Sequence, residues 1–139
     1  MKVLGIEIKG REVRIVALEK KDDKIIDYTG NYKPIELLDD EISDNVILFK
    51  NTLFATFDNL SPDEIIVKYR NPKGKGLQAP SPISFKIEGI IQIYNDCKIS
   101  IISPNTIAAF YKKNNLELKP NYGYNLEALK FAFHHIKTN

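Results

Sequence analysis

The apolar pattern of this chain changes period once, and that change restricts the folds open to it. Up to about residue 30 the runs are short and separated by turns. Val3–Ile8 is apolar apart from Glu7, Val13–Leu18 resumes after Lys9-Gly10-Arg11-Glu12, and a third run, Lys24–Thr29, follows Lys20–Lys24. Gly10 supplies the positive φ that a tight turn needs. Three runs on short turns read as an antiparallel meander. From Val46 the apolar residues fall at Val46, Phe49, Leu53, Phe57 and Leu60, the spacing of one helix face. Ser43 or Asp44 is the expected cap of that helix, and Ser61-Pro62 its end. Glu64–Arg70 then reads as a strand whose Ile65-Ile66-Val67 centre is apolar enough to be covered on both faces.

The later elements follow from their start signals. Ser81-Pro82 and Ser103-Pro104 each set a capping Ser before a Pro at the first helical position. The first opens a helix with Ile83, Ile87, Ile90, Ile91 and Tyr94 on one face. The second opens a short helix running to about Tyr111. Lys98–Ile102 is a strand between them, and Asn125 is the expected cap of a last helix lined by Leu126, Leu129, Phe133 and Ile136. Phe49, Phe54, Phe57, Phe131 and Phe133 are read as core. The order is βββ-α-β-α-β-α-α. It implies an α/β protein with a mixed five-stranded sheet, three antiparallel strands then parallel ones, and helices on both faces. With no repeat or linker, residues 1–139 are expected to form a single domain.

No apolar run approaches the roughly 18 residues of a membrane span. The N-terminus meets Glu7 and Lys9 too early for a signal peptide, so no membrane association and a cytoplasmic location are the default expectations. The lone Cys97 excludes an internal disulfide and a multi-cysteine zinc site and is expected to pack. His134 and His135 are adjacent in the last helix and point about 100° apart, so they read as residues favoured by the helix C-terminus rather than as a metal pair. Zinc-hydrolase, thiol-redox and serine-hydrolase motifs are absent. The net charge of +2 is modest, but it is unevenly spread. Residues 34–49 carry Glu36, Asp39, Asp40, Glu41 and Asp44 and no cation after Lys33, while 68–86 carry Lys68, Arg70, Lys73, Lys75 and Lys86 and no acid. Such a dipolar surface suits an anionic partner, or a homodimer through the complementary stretches.

The element order resembles the RNase H-like superfamily, which includes the RuvC-type Holliday-junction resolvases. The resemblance implies a first strand carrying a central acid, a fourth strand parallel beside it, and further acids from the fourth strand and the last helix. Glu7, in Val3-Leu-Gly-Ile-Glu-Ile8, stands at the first of these positions, and Glu127 at the last. The chain is also similar to a small family of uncharacterised bacterial proteins that share an opening Gly-(Ile/Val)-Glu-(Leu/Ile)-Lys-Gly, here Gly5–Gly10. They share too a basic loop running into Ser-Phe-Lys-(Ile/Met)-Glu, here Ser84–Glu88. What departs from the nuclease pattern is the fourth strand, which ends in Lys68 and Arg70 where an acid is expected.

Two readings of Glu7 stay open. It is a metal ligand or general base with Glu127 and Glu88, or it forms an ion pair with Lys68, its expected neighbour on the parallel strand. The site residues expected are therefore Glu7, Lys68, Glu88 and Glu127, with Glu7 and Glu127 as Mg²⁺ or Mn²⁺ ligands only in an active nuclease. Lys68, Arg70, Lys73, Lys75 and Lys86 are the expected nucleic-acid contacts, with Tyr69 and Phe85 as stacking candidates. Tyr122 and Tyr124 either edge a groove or pack their loop. The functional expectation is a nucleic-acid-binding relative of RuvC-type nucleases, divergent or inactive and without a cofactor. The alternatives are an active Mg²⁺- or Mn²⁺-dependent nuclease and a protein-interaction or regulatory module.

Overall fold

A computed structural model of the chain describes residues 1–76 and 79–139. Strand β1 (Lys2–Lys9) and strand β2 (Glu12–Lys21) form an antiparallel hairpin across Gly10-Arg11, with Gly10 at φ +60. Strand β3 (Lys24–Asp27) follows a second tight turn, in which Asp22 and Asp23 take positive φ, a conformation that short polar side chains tolerate. The chain then returns along β2. Buried Thr29 accepts the Ala17 amide at 2.8 Å, and strand β4 (Ile35–Glu36) pairs with Val13 and Glu12. This two-residue strand is a sixth member of a sheet expected to have five, and it carries too little periodicity to be read from sequence.

Helix α1 (Ser43–Leu60) leads into strand β5 (Glu64–Lys68), which lies parallel to β1. Helix α2 (Pro82–Gln92) leads into strand β6 (Lys98–Ile102), parallel to β5. Helix α3 (Pro104–Tyr111) and a 3-10 turn (Gly123–Asn125) precede helix α4 (Leu126–Thr138). The strand order is β3-β2-β1-β5-β6, with β4 off that path on β2. Ser81 and Ser103 cap α2 and α3 as expected, their side chains accepting from Ser84 N and Asn105 N. Two expected caps are not made. The N-cap of α1 is Ile42, and Asn125 sits in the helical turn that precedes α4; neither gives a side-chain cap bond.

The alternation of side chains along β1 divides the core. Leu4, Ile6 and Ile8 face one cluster with Ile65, Val67, Phe49, Leu53, Phe57, Ile87 and Ile91. Val3 faces the other, with Val16, Leu18, Ile66, Ile107, Leu129, Phe133 and Ile136. Gly5 shares the second face and is there because α4 leaves no room for a side chain. A Cβ on Gly5 would stand 2.0 Å from the carbonyl oxygen of Ala128 and 2.9 Å from the Ala132 Cβ. The last helix thus crosses the first strand with backbone nearly on backbone, which fixes the height at which Glu127, one residue before Ala128, stands over the strand ends.

Candidate nucleic-acid interface

Glu7 follows Gly5 by two residues and so shares its face, at the C-terminal end of β1. It is 9% exposed, and a carboxylate so covered needs partners. Two strands provide them. The two-residue turn at Gly10-Arg11 sets the register Glu7↔Arg14, and Arg14 Nη1 donates to Glu7 Oε1 at 3.2 Å while its Nη2 donates to Glu12 at 2.8 Å. On the other side, the parallel register Ile6↔Val67 carries Lys68 up beside Glu7. Lys68 Nζ donates to Glu7 Oε2 at 3.5 Å and to Glu127 Oε1 at 2.8 Å. Lys130 lies 3.6 Å from the second oxygen of Glu127. Three acids (Glu7, Glu12, Glu127) therefore face three cations (Arg14, Lys68, Lys130), and the cluster is close to neutral. For Glu127, burial opposes ionisation, but the hydrogen bond and charge of Lys68, with Lys130 behind it, outweigh burial and hold the carboxyl below its ordinary range.

Of the expected site, the structure brings together Glu7, Lys68 and Glu127. It does not bring Glu88. That carboxylate meets Arg70 at 3.2 Å, and the Arg70 guanidinium lies over the Phe85 ring at 4.5 Å. With only 9% of its side chain exposed, Arg70 pins the chain leaving β5 against α2, and one expected stacking ring, Phe85, already carries a cation. Lys86 is likewise engaged, donating to Asp40 Oδ2 at 2.6 Å, and Arg11 approaches the same aspartate at 3.8 Å. Part of the charge complementarity between the acidic and basic stretches is thus satisfied within one chain. Lys73 and Lys75 are different. Both are exposed and make no ion pair among the described residues, and Lys73 sits in a tight turn closed by Asn71, whose side-chain oxygen accepts the Lys73 amide at 2.9 Å. Tyr69 is exposed as well.

The strand ends and this loop enclose an open groove of about 670 Å³, lined among others by Glu7, Lys9, Lys68, Arg70, Ser81 and Pro104. Arg14 was not among the expected site residues. The signal was available: a two-residue turn centred on Gly10-Arg11 forces opposed residues to sum to 21, which puts Arg14 opposite Glu7.

The remaining titratable candidates are structural. Burial, helped by Asp96, Glu64 and Asp63, pushes the Cys97 thiol up to about 11, so it packs as a neutral group. Burial, then repulsion from His135, lowers the pKa of His134, whose ring packs edge-on against Phe110. His135 Nε2 faces Glu64 Oε2 at 3.0 Å, joining the end of α4 to the start of β5.

A family model described as Protein of unknown function (DUF3010) matches residues 1–135. The chain belongs to that family. No curated protein matches it in sequence. Among solved structures it is similar to Thermus thermophilus RuvC, at 11% identity over 98% of this chain and 93% of that one, with a TM-score of 0.73. The T. thermophilus RuvC complex with Holliday junction substrate gives 10% identity at the same coverage and a TM-score of 0.75. The fowlpox virus Holliday junction resolvase gives 13% identity over the whole of both chains and a TM-score of 0.56. Such identities show a shared fold, and the RuvC/RNase H-like fold read from the element order is the fold of this family member.

A nuclease of this fold implies divalent metal, and the residues at the strand ends do not fit a two-metal centre. Such a centre needs several carboxylate oxygens close to each ion, at about 2.1 Å for Mg²⁺. Here an ammonium stands between Glu7 and Glu127, and the second oxygen of Glu7 is taken by a guanidinium. No group of three or more His, Cys, Asp or Glu side chains that could hold a metal ion occurs among the described residues.

Proposed function

We propose that this protein binds nucleic acid through the groove at the ends of β1 and β5, and that it does so without the metal chemistry of its nuclease relatives. The observation that carries this reading is the position of Lys68, whose ammonium stands between Glu7 and Glu127. In a metal-dependent site of this fold the carboxylates are neutralised by the ions that also meet the phosphate. Here side chains of the same chain neutralise them, so the floor of the groove does not repel a polyanion. Lys9, Lys73 and Lys75, exposed at its margin, provide the positive field for phosphate. The likeness to RuvC bound to a Holliday junction substrate supports nucleic acid as the ligand class by fold analogy alone.

A filter-binding titration on single-stranded, double-stranded and branched DNA and RNA, with a chelator present, tests the reading. Lys73→Ala with Lys75→Ala should weaken binding to every substrate and flatten its dependence on salt by up to about two phosphate contacts. Unchanged affinity would remove the loop from the interface. In parallel, Mg²⁺ or Mn²⁺ should neither raise the melting temperature by mass action nor produce cleavage. Cleavage that depends on metal and disappears in Glu7→Gln would replace this reading with that of an active nuclease.

A further inference from the structure

The stacked pair Tyr122 and Tyr124 is the feature that neither the fold nor the Glu7 cluster requires. Their ring centroids are 5.3 Å apart and their planes 5° from parallel. Elsewhere in the molecule the close aromatic pairs are edge-to-face: Phe54 and Phe57 against Tyr94 at 70° and 71°, Phe110 against Tyr111 at 88°. The two other stacked pairs, Phe54–Phe57 and Tyr111–Phe133, are more distant, at 6.3 and 6.5 Å. Edge-to-face packing is common inside proteins because the ring quadrupoles favour it. The tyrosine pair also belongs to neither hydrophobic cluster, so filling the core does not explain it. Tyr122 keeps half of its surface exposed, and neither hydroxyl makes a hydrogen bond among the described residues. Tyr124, in turn, lies against the Arg14 guanidinium at 5.9 Å, the same guanidinium that holds Glu7 at 3.2 Å. The 3-10 turn Gly123–Asn125, its last residue buried, sets the loop on α4. A flat aromatic surface is thus fixed to the charge network of the groove and left open to solvent.

We infer that Tyr122, supported by Tyr124 and Arg14, is a stacking platform for an unpaired nucleobase. An exposed tyrosine ring backed by a half-buried one, beside a site neutralised by its own cations, matches the chemistry by which proteins hold single-stranded nucleic acid: any base offers a π-face, so stacking is tolerant of sequence and is worth about 1–3 kcal/mol per base. Bases inside a duplex are covered on both faces by their neighbours and are not available to such a platform. The inference rests on the nucleic-acid reading above and narrows it to substrates with unpaired bases: single strands, loops, ends and branch points.

The test is a fluorescence titration of the full chain, with chelator present, against a single-stranded oligonucleotide carrying 2-aminopurine and against a fully paired duplex of the same length. Tyr122→Ala should weaken single-strand binding by about tenfold, on the scale of one lost stacking contact, and abolish the change in 2-aminopurine emission on binding. Tyr122→Phe should retain both, since the ring and not the hydroxyl makes the contact. Duplex affinity should be the same in all three proteins. If Tyr122→Ala binds the single strand as wild type does, with the emission change intact, the platform is overturned while the groove reading stands. If wild type binds neither oligonucleotide, the groove reading fails first and the platform with it. A lysine-dependent affinity for duplex alone would also overturn the platform and leave the groove.

Discussion

The two faces of β1 carry different information. Facing α1 and α2, Leu4, Ile6 and Ile8 are buried along the length of the strand against aliphatic and aromatic side chains. Facing α4, Val3 is followed by Gly5 and then by Glu7, so the same strand passes from apolar packing, through direct contact with a helix backbone, to an ion-pair network. The first face is held by area and shape and tolerates exchange among apolar residues of similar volume. The second is held by one close approach and by complementary charge, where neither size nor sign can change freely. A site built at the end of an apolar strand needs both conditions at once: a face that cannot slip, and a face on which the helix above has a single height.

The largest effect that would break this contrast is Gly5→Ala. With a Cβ placed 2.0 Å from Ala128 O, α4 must move away from β1, and we expect a loss of about 3 kcal/mol or more in urea unfolding. A small change in midpoint would mean that the helix height is not fixed there. Next is Lys68→Met, which leaves Glu7 and Glu127 with only Arg14 and Lys130. The expected loss is about 2 kcal/mol, below the range for a fully buried pair because solvent reaches this one. Its pH dependence has a defined sign. The Glu127 carboxyl is depressed in the folded state, so its contribution is present above the ordinary glutamate range and is lost as pH falls through the lowered value. Thermal melts from neutral pH down to about pH 3 should therefore show a smaller acid loss in Lys68→Met than in wild type.

On the apolar face, Tyr94→Phe removes one hydrogen bond, from Tyr94 Oη to Asp58 Oδ1 at 2.7 Å, while keeping the ring against Phe54 and Phe57. About 1 kcal/mol is expected from the same unfolding measurement. The smallest change has the opposite sign. Gly89 lies inside α2, exposed and with nothing within 4 Å of the place an alanine methyl would take, so Gly89→Ala should stabilise by about 0.5 kcal/mol. Opposite outcomes for Gly5 and Gly89 would locate the demand for glycine in the helix contact, not in composition.

Much of the fold was legible because its signals are local. Ser81-Pro82 and Ser103-Pro104 mark helix starts, Gly10 marks the hairpin, and Ile65-Ile66-Val67 marks a strand covered on both faces. The pairing of Glu7 with Lys68 could be expected once β1 and β5 were set side by side. Three features escaped. The short β4 depends on a return path along β2 that no periodicity announces. Arg70–Glu88 and Lys86–Asp40 join residues whose partners follow from the docking of α2, so cations that looked available to a ligand were already bound. The space above Gly5 belongs to α4, some 120 residues later, and nothing near Gly5 in sequence signals it.

That same contact sets an order of events during synthesis. The first strand leaves the ribosome some 120 residues before the helix that completes its polar end, so β1 and β2 can pair while Glu7 has Arg14 alone for company. Glu127 reaches Lys68 only when α4 closes over Gly5. Chains interrupted before that helix would carry the Val3, Val16, Leu18 and Ile66 face of the sheet without its final cover, the kind of species most exposed to aggregation. What waits for α4 is the ion pair of Lys68 with Glu127; until that helix docks, the floor of the groove lacks its second carboxylate.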